Sequence, residues 1–484
     1  MVSPFIKQSW AVAGVQLNYV AQGMMLSFPA SLLPALKDPA STIKVDLQSA
    51  SFLASCVGLA ATLGFLGSSS LMNVLGRKLT FGAALLPAII GWGIIFFANS
   101  VPLLIAGRLL TGVTGGATIT LGAIIIGEFT DPKYRGVFLN LNTVSAGLGT
   151  MMLHIAGHYF HWRTAALISL VPLSAAFCNL LTWPESPAWL ASKNRYADGE
   201  KAFYWLRGKD EDSVKEFEAV VRAQKERMAQ FPETLTCSDD IVEFFKKFTR
   251  KDFLKPISIV FIGFLLLEGS GRHTFPAFAI DFIGDVSGDH SQTFLYTMCM
   301  DVITAASALM ATYLVKVMKR RTLLFCSGIS SVVILLSVSL YLYLVSLGVL
   351  ANDKAWIPLI LLVAYFVVSN LGCTSIPLGL LGEVLPLPHR GAGTAVSGIA
   401  FSFNLFLAMQ ATPLLMATVN TYGTFTAYAL VMIFTLVIMY MILPETKNRT
   451  LQEIEDYFNH GKFLDEKPHP GDDEVKMKML DRQP

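Results

Sequence analysis

Charged residues are scarce in this chain, and some of them recur as a pattern. Glu128 and Arg135 stand seven residues apart in GEFTDPKYRG, as do Glu383 and Arg390 in GEVLPLPHRG. Upstream of each pair lies a basic knot, Gly76-Arg77-Lys78 in the first case and Lys319-Arg320-Arg321 in the second. Downstream come Pro184-Glu185-Ser186 and Pro444-Glu445-Thr446. The chemistry open to such sets is electrostatic. A Glu ending one apolar segment and an Arg opening the next are unfavourable near a membrane unless paired. Arg77, Glu128, Arg135 and Glu185 therefore form one candidate cluster, and Arg320, Glu383, Arg390 and Glu445 a second. Pairs of this kind at a mouth can hold two halves together and break when that side opens. The duplication is an internal repeat, and in a membrane protein a six-plus-six parallel repeat is the layout of a carrier with its site between the halves.

A second group of charges lies inside apolar segments, where ionisable side chains are functional candidates by default. Glu268 and Arg272 are four residues apart, on one face of a helix and in the order that favours pairing. They read either as part of a ligand site or as a self-neutralising pair that only shapes a cavity. Asp301 lies about one turn from Thr304 and is expected level with Arg272. His154 and His158 fall near the end of their segment and read as interfacial. No nucleotide loop, metal cluster or nucleophile–base arrangement is evident, so the sequence points away from an enzyme and implies no cofactor and no metal.

These residues are carried by a chain built for a bilayer. Of 484 residues, 53% are hydrophobic and 15% charged, with a formal net charge of +2. Soluble chains average about 25% charged, and the near balance gives no reason to expect a nucleic-acid partner. Apolar stretches of about 20 residues, enough to cross a bilayer as helix, alternate with short charged connectors. Spans are expected at about 9–36, 48–72, 80–98, 101–128, 137–159 and 163–183, then at 255–284, 292–315, 321–347, 355–386, 392–418 and 422–443. The fold class is thus an all-α membrane protein with a six-helix bundle over 9–183 and another over 254–443. Residues 184–253 form a charged block with helical spacing at Phe203, Leu206, Phe217 and Val221, read as short amphipathic helices on the membrane face. The tail, 444–484, is polar and reads as disordered toward its end. Arg77, Lys78, Arg135, Lys319, Arg320, Arg321, Arg390 and the middle block share one side, which the positive-inside rule makes cytoplasmic, with both termini there. In GRLLTGVTGG, Gly107, Gly112 and Gly115 are small residues that let helices approach closely. The six cysteines show no metal spacing and no structural disulfide is expected.

With its twelve segments and the ordered set GRLLTGVTGG, GEFTDPKYRG, PESPAWL, GEVLPLPHRG and PETKNRTLQEIE, the chain resembles the sugar porter family of the major facilitator superfamily over about 9–456. PESPAWL and PETKNRTL look most like animal glucose facilitators and insect trehalose or hexose carriers. The resemblance implies a major facilitator fold and places the two charge clusters at the cytoplasmic gate. It also marks positions that face the sugar, and there the chain departs from the pattern. Where the family has paired glutamines and then asparagine, this chain has Leu267, Glu268 and, after Ser270-Gly271, Arg272 and His273. The glutamine of span 5 is Thr143 and the asparagine of span 8 is Thr304. Span 10 keeps Asn370 and has Thr374, while its tryptophan position is Leu378. In span 11 the asparagine positions fall near Phe401 and Leu405, with Asn404 one residue away. Gln22 completes the candidate substrate set from span 1, which carries no acid of the kind that proton-coupled relatives use there. The acid of each basic knot is replaced as well, by Asn73 and Lys316.

The function this implies is facilitative transport of a hexose or trehalose by alternating access, with the lipid bilayer and a small-molecule substrate as partners and a monomer sufficient. The amide-poor cavity keeps two alternatives open: a charged or conjugated substrate, and a non-transporting sensor derived from a carrier. A plasma-membrane location is expected.

Overall fold

In a computed structural model the described residues are 3–209, 213–218, 221–222, 251–288, 291–350, 354, 356–384, 390–447, 449, 453–454 and 457–458, and among them there is no strand. The helices are α1 (Pro4–Lys37), α2 (Leu47–Phe97), α3 (Val101–Phe129), α4 (Pro132–Tyr159), α5 (Trp162–Leu181), α6 (Pro187–Ser192) and α7 (Tyr196–Arg207). After the middle block come α8 (Lys251–Gly269), α9 (Thr274–Ala277), α10 (Ala279–Ser287), α11 (Thr293–Val317), α12 (Arg320–Ser346), α13 (Trp356–Ser369), a π-turn (Asn370–Thr374), α14 (Ser375–Glu383) and α15 (Arg390–Ile442). Nine helices among the described residues are long and apolar enough to cross a membrane. Two of these, α2 with 51 residues and α15 with 53, are over twice the length one crossing needs. Each bends sharply once, α2 at Gly76 (φ 87°) and α15 at Asn420 (φ 57°), where two helices join.

Gly76 shows why the basic knot opens on a glycine. Its positive φ disfavours any side chain, and an added Cβ would lie 2.5 Å from Glu185 Oε2. Between α2 and α3 the small residues act as the sequence reading expects. A Cβ on Gly116 would lie 2.0 Å from the Ala61 carbonyl oxygen, so the two backbones touch. The same helix carries Arg108, which is fully buried. Its guanidinium donates to the Met25 carbonyl of α1 (2.6 Å) and to the Leu53 carbonyl of α2 (3.1 Å), pinning three helices together.

Two expected spans are not continuous helices. The stretch 255–284 breaks after Gly269 through Ser270-Gly271-Arg272-His273, with Gly271 at φ 72°. The freed Ser270 carbonyl accepts from the Tyr365 hydroxyl at 2.9 Å, as a broken helix inside a membrane requires. The stretch 355–386 is interrupted by the π-turn, whose Asn370 carbonyl accepts from Ser375 Oγ at 2.8 Å. In the middle block, α7 buries Phe203 and Leu206, and the Phe203 ring packs on Phe217. Arg207 at its end pairs with Asp131, which also takes a hydrogen bond from Gln8 of α1. Residues 223–250 lie outside the described residues, as does the tail beyond 458.

Candidate functional site

The end of the bundle that carries Arg77 and Arg320, here the basic end, holds two charge clusters of the same design. In the first, Arg77 makes a two-pronged pair with Glu128, Nε to Oε2 at 2.8 Å and Nη2 to Oε1 at 2.7 Å. Glu185 accepts from the Arg77 backbone N–H at 2.8 Å, and Ser186 Oγ donates to Glu128. In the second, Arg320 Nη2 meets Glu383 at 3.0 Å, and Glu445 accepts from the Arg320 backbone N–H at 2.9 Å. Thr446 Oγ1 donates to Glu383 at 2.6 Å. Even a minor contact repeats: each arginine reaches back five residues, to the Met72 or the Val315 carbonyl. Lys78 and Arg321 likewise cap the carbonyls of Trp183 and Leu443.

The clusters differ from the sequence reading in one respect. Each closes within its own half, and among the described residues no ion pair joins the halves at the basic end. Arg135 is half-buried, and its Nε has no hydrogen-bond partner among the described residues. The Arg390 side chain lies outside the described residues.

The halves meet instead toward the opposite, far end. His154 of α4 contacts Asp301 of α11, Nδ1 to Oδ2 at 2.7 Å, and its Nε2 lies 3.0 Å from the Pro276 carbonyl. One turn outward, the His158 ring stacks on Phe294 at 3.9 Å. Ser55 Oγ donates to Gln410 at 2.6 Å. Asp301 therefore does not sit with Arg272 as expected; the histidine facing it across the interface takes it.

Between these ends lie the candidate substrate residues. Glu268 is buried and pairs with His273 (Nδ1 to Oε1, 2.7 Å), not with Arg272. The expected i, i+4 pair fails because the helix ends at Gly269, and the turn at Gly271 carries Arg272 off the face of Glu268. Glu268 Oε2 is buried with no hydrogen-bond partner among the described residues, and so are Gln22 Oε1 and Asn404 Oδ1. Three acceptors from α1, α8 and α15 are thus left open. The His273 ring stands edge-on to Phe401 at 5.8 Å, and Phe401 in turn meets Phe65 of the first half at 6.0 Å. Asn370 is committed within its half, donating to Ser307 Oγ at 2.9 Å and to the Thr304 carbonyl at 3.5 Å. Thr374 is buried in the π-turn, Leu378 is exposed, and Thr143 is half-buried. Beside Thr143, Asn142 and Ser145 satisfy Gln16 of α1 at 2.8 Å each, a polar network that the sequence reading missed.

Comparison with known proteins shows the family. The model of the family described as sugar (and other) transporter matches residues 10–458. The chain belongs to this family. The facilitated trehalose transporter Tret1 of Polypedilum vanderplanki is 28% identical over 453 residues, covering 93% of this chain and 87% of that protein. Tret1 of Culex quinquefasciatus is 27% identical, with 93% and 85% covered. Among solved structures, the xylose transporter XylE from E. coli in an inward-open conformation superposes with a TM-score of 0.74 at 16% identity, covering 94% of this chain and 99% of that one. XylE bound to 6-bromo-6-deoxy-D-glucose gives a TM-score of 0.70. The fold is therefore that of the major facilitator superfamily, and the protein is a multi-pass membrane transporter. Within such a transporter, Arg108 and the His154–Asp301 contact are the features that sequence reasoning did not assign. For the second, the signal is a pair of stripes, residues 147, 154 and 158 on α4 and 305, 301 and 294 on α11, spaced to face one another in antiparallel register.

Proposed function

We propose that the protein is a facilitative carrier that moves a hexose or trehalose across the plasma membrane by alternating access, through twelve crossings with the basic end cytoplasmic. The observation that carries this is the duplicated pair of charge clusters flanking open acceptors at Gln22, Glu268 and Asn404. Unpaired buried acceptors are unfavourable, and sugar hydroxyls would satisfy them. Binding then favours the state in which both halves reach the ligand, and flux follows the gradient. The test is uptake of labelled glucose and trehalose, side by side, into oocytes with surface expression verified. Saturable uptake of either, unchanged by a protonophore, is expected. Absence of both with the protein at the surface would refute the reading.

Glu268 favours a second reading of the substrate. A buried carboxylate oxygen without a partner is better matched by an ammonium group than by a hydroxyl. Amino sugars would then compete with uptake more strongly than their neutral parents, and equal competition would remove this reading.

A further inference from the structure

His154 bridges the two halves with both ring nitrogens, and the identity of its partners fixes the proton count. The Pro276 carbonyl can only accept, so Nε2, at 3.0 Å, carries a hydrogen and donates. Nδ1 lies 2.7 Å from Asp301 Oδ2. Two lone pairs cannot face each other at that distance, so a second proton lies between them, whether the pair is imidazolium with carboxylate or imidazole with carboxylic acid. The same two groups in neutral water are an uncharged imidazole and an ionised carboxylate, which together hold one proton fewer.

We propose that His154 and Asp301 form a proton-binding site between the two halves. Closing the far end takes up one proton from that side, and reopening it releases the proton. The reading rests on the proposed alternating access only in needing a far end that opens. His154 is almost wholly buried and Asp301 nearly so, so the closed site shields the proton from water. Among the described residues neither group has a second ion-pair partner. Other titratable groups on the elements packed here are otherwise engaged. His158 stacks on Phe294, Glu268 and His273 pair with each other with Arg272 beside them, and Asp285 of α10 accepts from Thr421. Asp281 also lies on α10 with a partner of its own, and α1 brings no ionisable residue between Tyr19 and Lys37. His161, in the far-end connector, is held below the usual histidine range by desolvation and by Arg163.

Linkage then sets the sign. The closed state binds one proton more, so acid favours it. The closed-to-open ratio falls by up to about tenfold for each pH unit over which the closed state holds that extra proton and the open state does not.

The test uses the full chain in lipid nanodiscs, without sugar. Spin labels at Asn99→Cys, in a far-end connector, and Ser346→Cys, at the far end of α12, report on opposite halves, with Cys178, Cys237, Cys299 and Cys326 replaced by serine. Pulsed electron resonance reads the distance between them from about pH 5.5 to 8.5. A short and a long distance are expected, the short one gaining as pH falls. Asp301→Asn should keep both populations in a pH-independent ratio, because an amide can donate to a neutral imidazole without an extra proton. His154→Gln should flatten the response in the same way and stands in if the first variant folds poorly. A wild-type ratio that ignores pH overturns the proton site and leaves the carrier reading intact. An Asp301→Asn response as steep as the wild type assigns the effect to His158, His161 or His273 and also overturns it. A single distance at every pH overturns both readings.

Discussion

Gly76→Ala probes the clusters at the point where backbone and charge meet. The residue sits at φ 87° and ψ −177°, a region open to glycine almost alone. Holding another residue there is worth about 1–3 kcal/mol of strain. The new Cβ would stand 2.5 Å from Glu185 Oε2, so that carboxylate must move. It accepts from the Arg77 N–H at 2.8 Å and the Lys78 N–H at 3.2 Å, and losing one such charge-assisted bond costs about 1.5–3 kcal/mol. The sum is about 2.5–6 kcal/mol, or a fall of roughly 5–24 °C in the melting temperature of one six-helix half. The assay is thermal unfolding of the detergent-solubilised full chain. Gly127→Ala is the control: nothing lies within 4 Å of its Cβ, so it should gain about 0.5–1 kcal/mol of helix stability. Glu185→Ala completes a double-mutant cycle. If the carboxylate is what the methyl displaces, the second substitution costs less in the background of the first. A Gly76→Ala protein as stable as the wild type, or additive losses in the cycle, would refute the reasoning.

Arg108→Ala should lower the yield of monodisperse protein sharply, since it takes the guanidinium donor from the buried Met25 and Leu53 carbonyls and opens a cavity, together about 3 kcal/mol or more. Arg108→Lys should not restore it, because a single ammonium cannot span α1 and α2 as the guanidinium fork does. Glu268→Gln should alter substrate preference or the pH profile of uptake more than it alters expression; an unchanged preference and profile would make the Glu268–His273 pair purely structural. Arg135→Ala and Arg390→Ala should slow transport while leaving surface expression intact, and normal flux in both would remove them from the gate.

The fold class was readable because a bilayer enforces it. Apolar runs of crossing length, split by charged connectors, allow little but a helical bundle, and the bends at Gly76 and Asn420 fall inside connectors the sequence already marked. The candidate site was less readable. A helical period carried through Gly269-Ser270-Gly271 pairs Glu268 with Arg272, whereas two glycines in three residues argue for a break. Asp301 was matched to a partner by depth alone, because one sequence does not say which span of one half faces which span of the other. His154 reads as interfacial from its place in the sequence, and its partner follows only from α4 lying beside α11. Arg108 went unassigned for a different reason: its partners are backbone carbonyls, which no side-chain pattern reveals.

The location of the charge pairs changes what they can be asked to do. Arg77–Glu128 and Arg320–Glu383 are each complete within one half, in an arrangement whose cross-half hydrogen bonds, among the described residues, lie toward the far end. A contact made inside a rigid half is the same whichever way the halves tilt, so it cannot bias the tilt. Its loss should weaken that half without shifting the balance between states. The balance belongs to groups whose partners differ between states, and Arg135, with its Nε buried and without a described partner here, is proposed as one. Glu128→Gln and Arg135→Ala therefore separate on two axes. The first should lower thermal stability and leave the far-end distance distribution unchanged. The second should leave stability nearly unchanged and shift the distribution toward the closed far end, because closure of the basic end loses a donor that only that state satisfies. Equal effects on both axes would mean that the clusters move between halves after all.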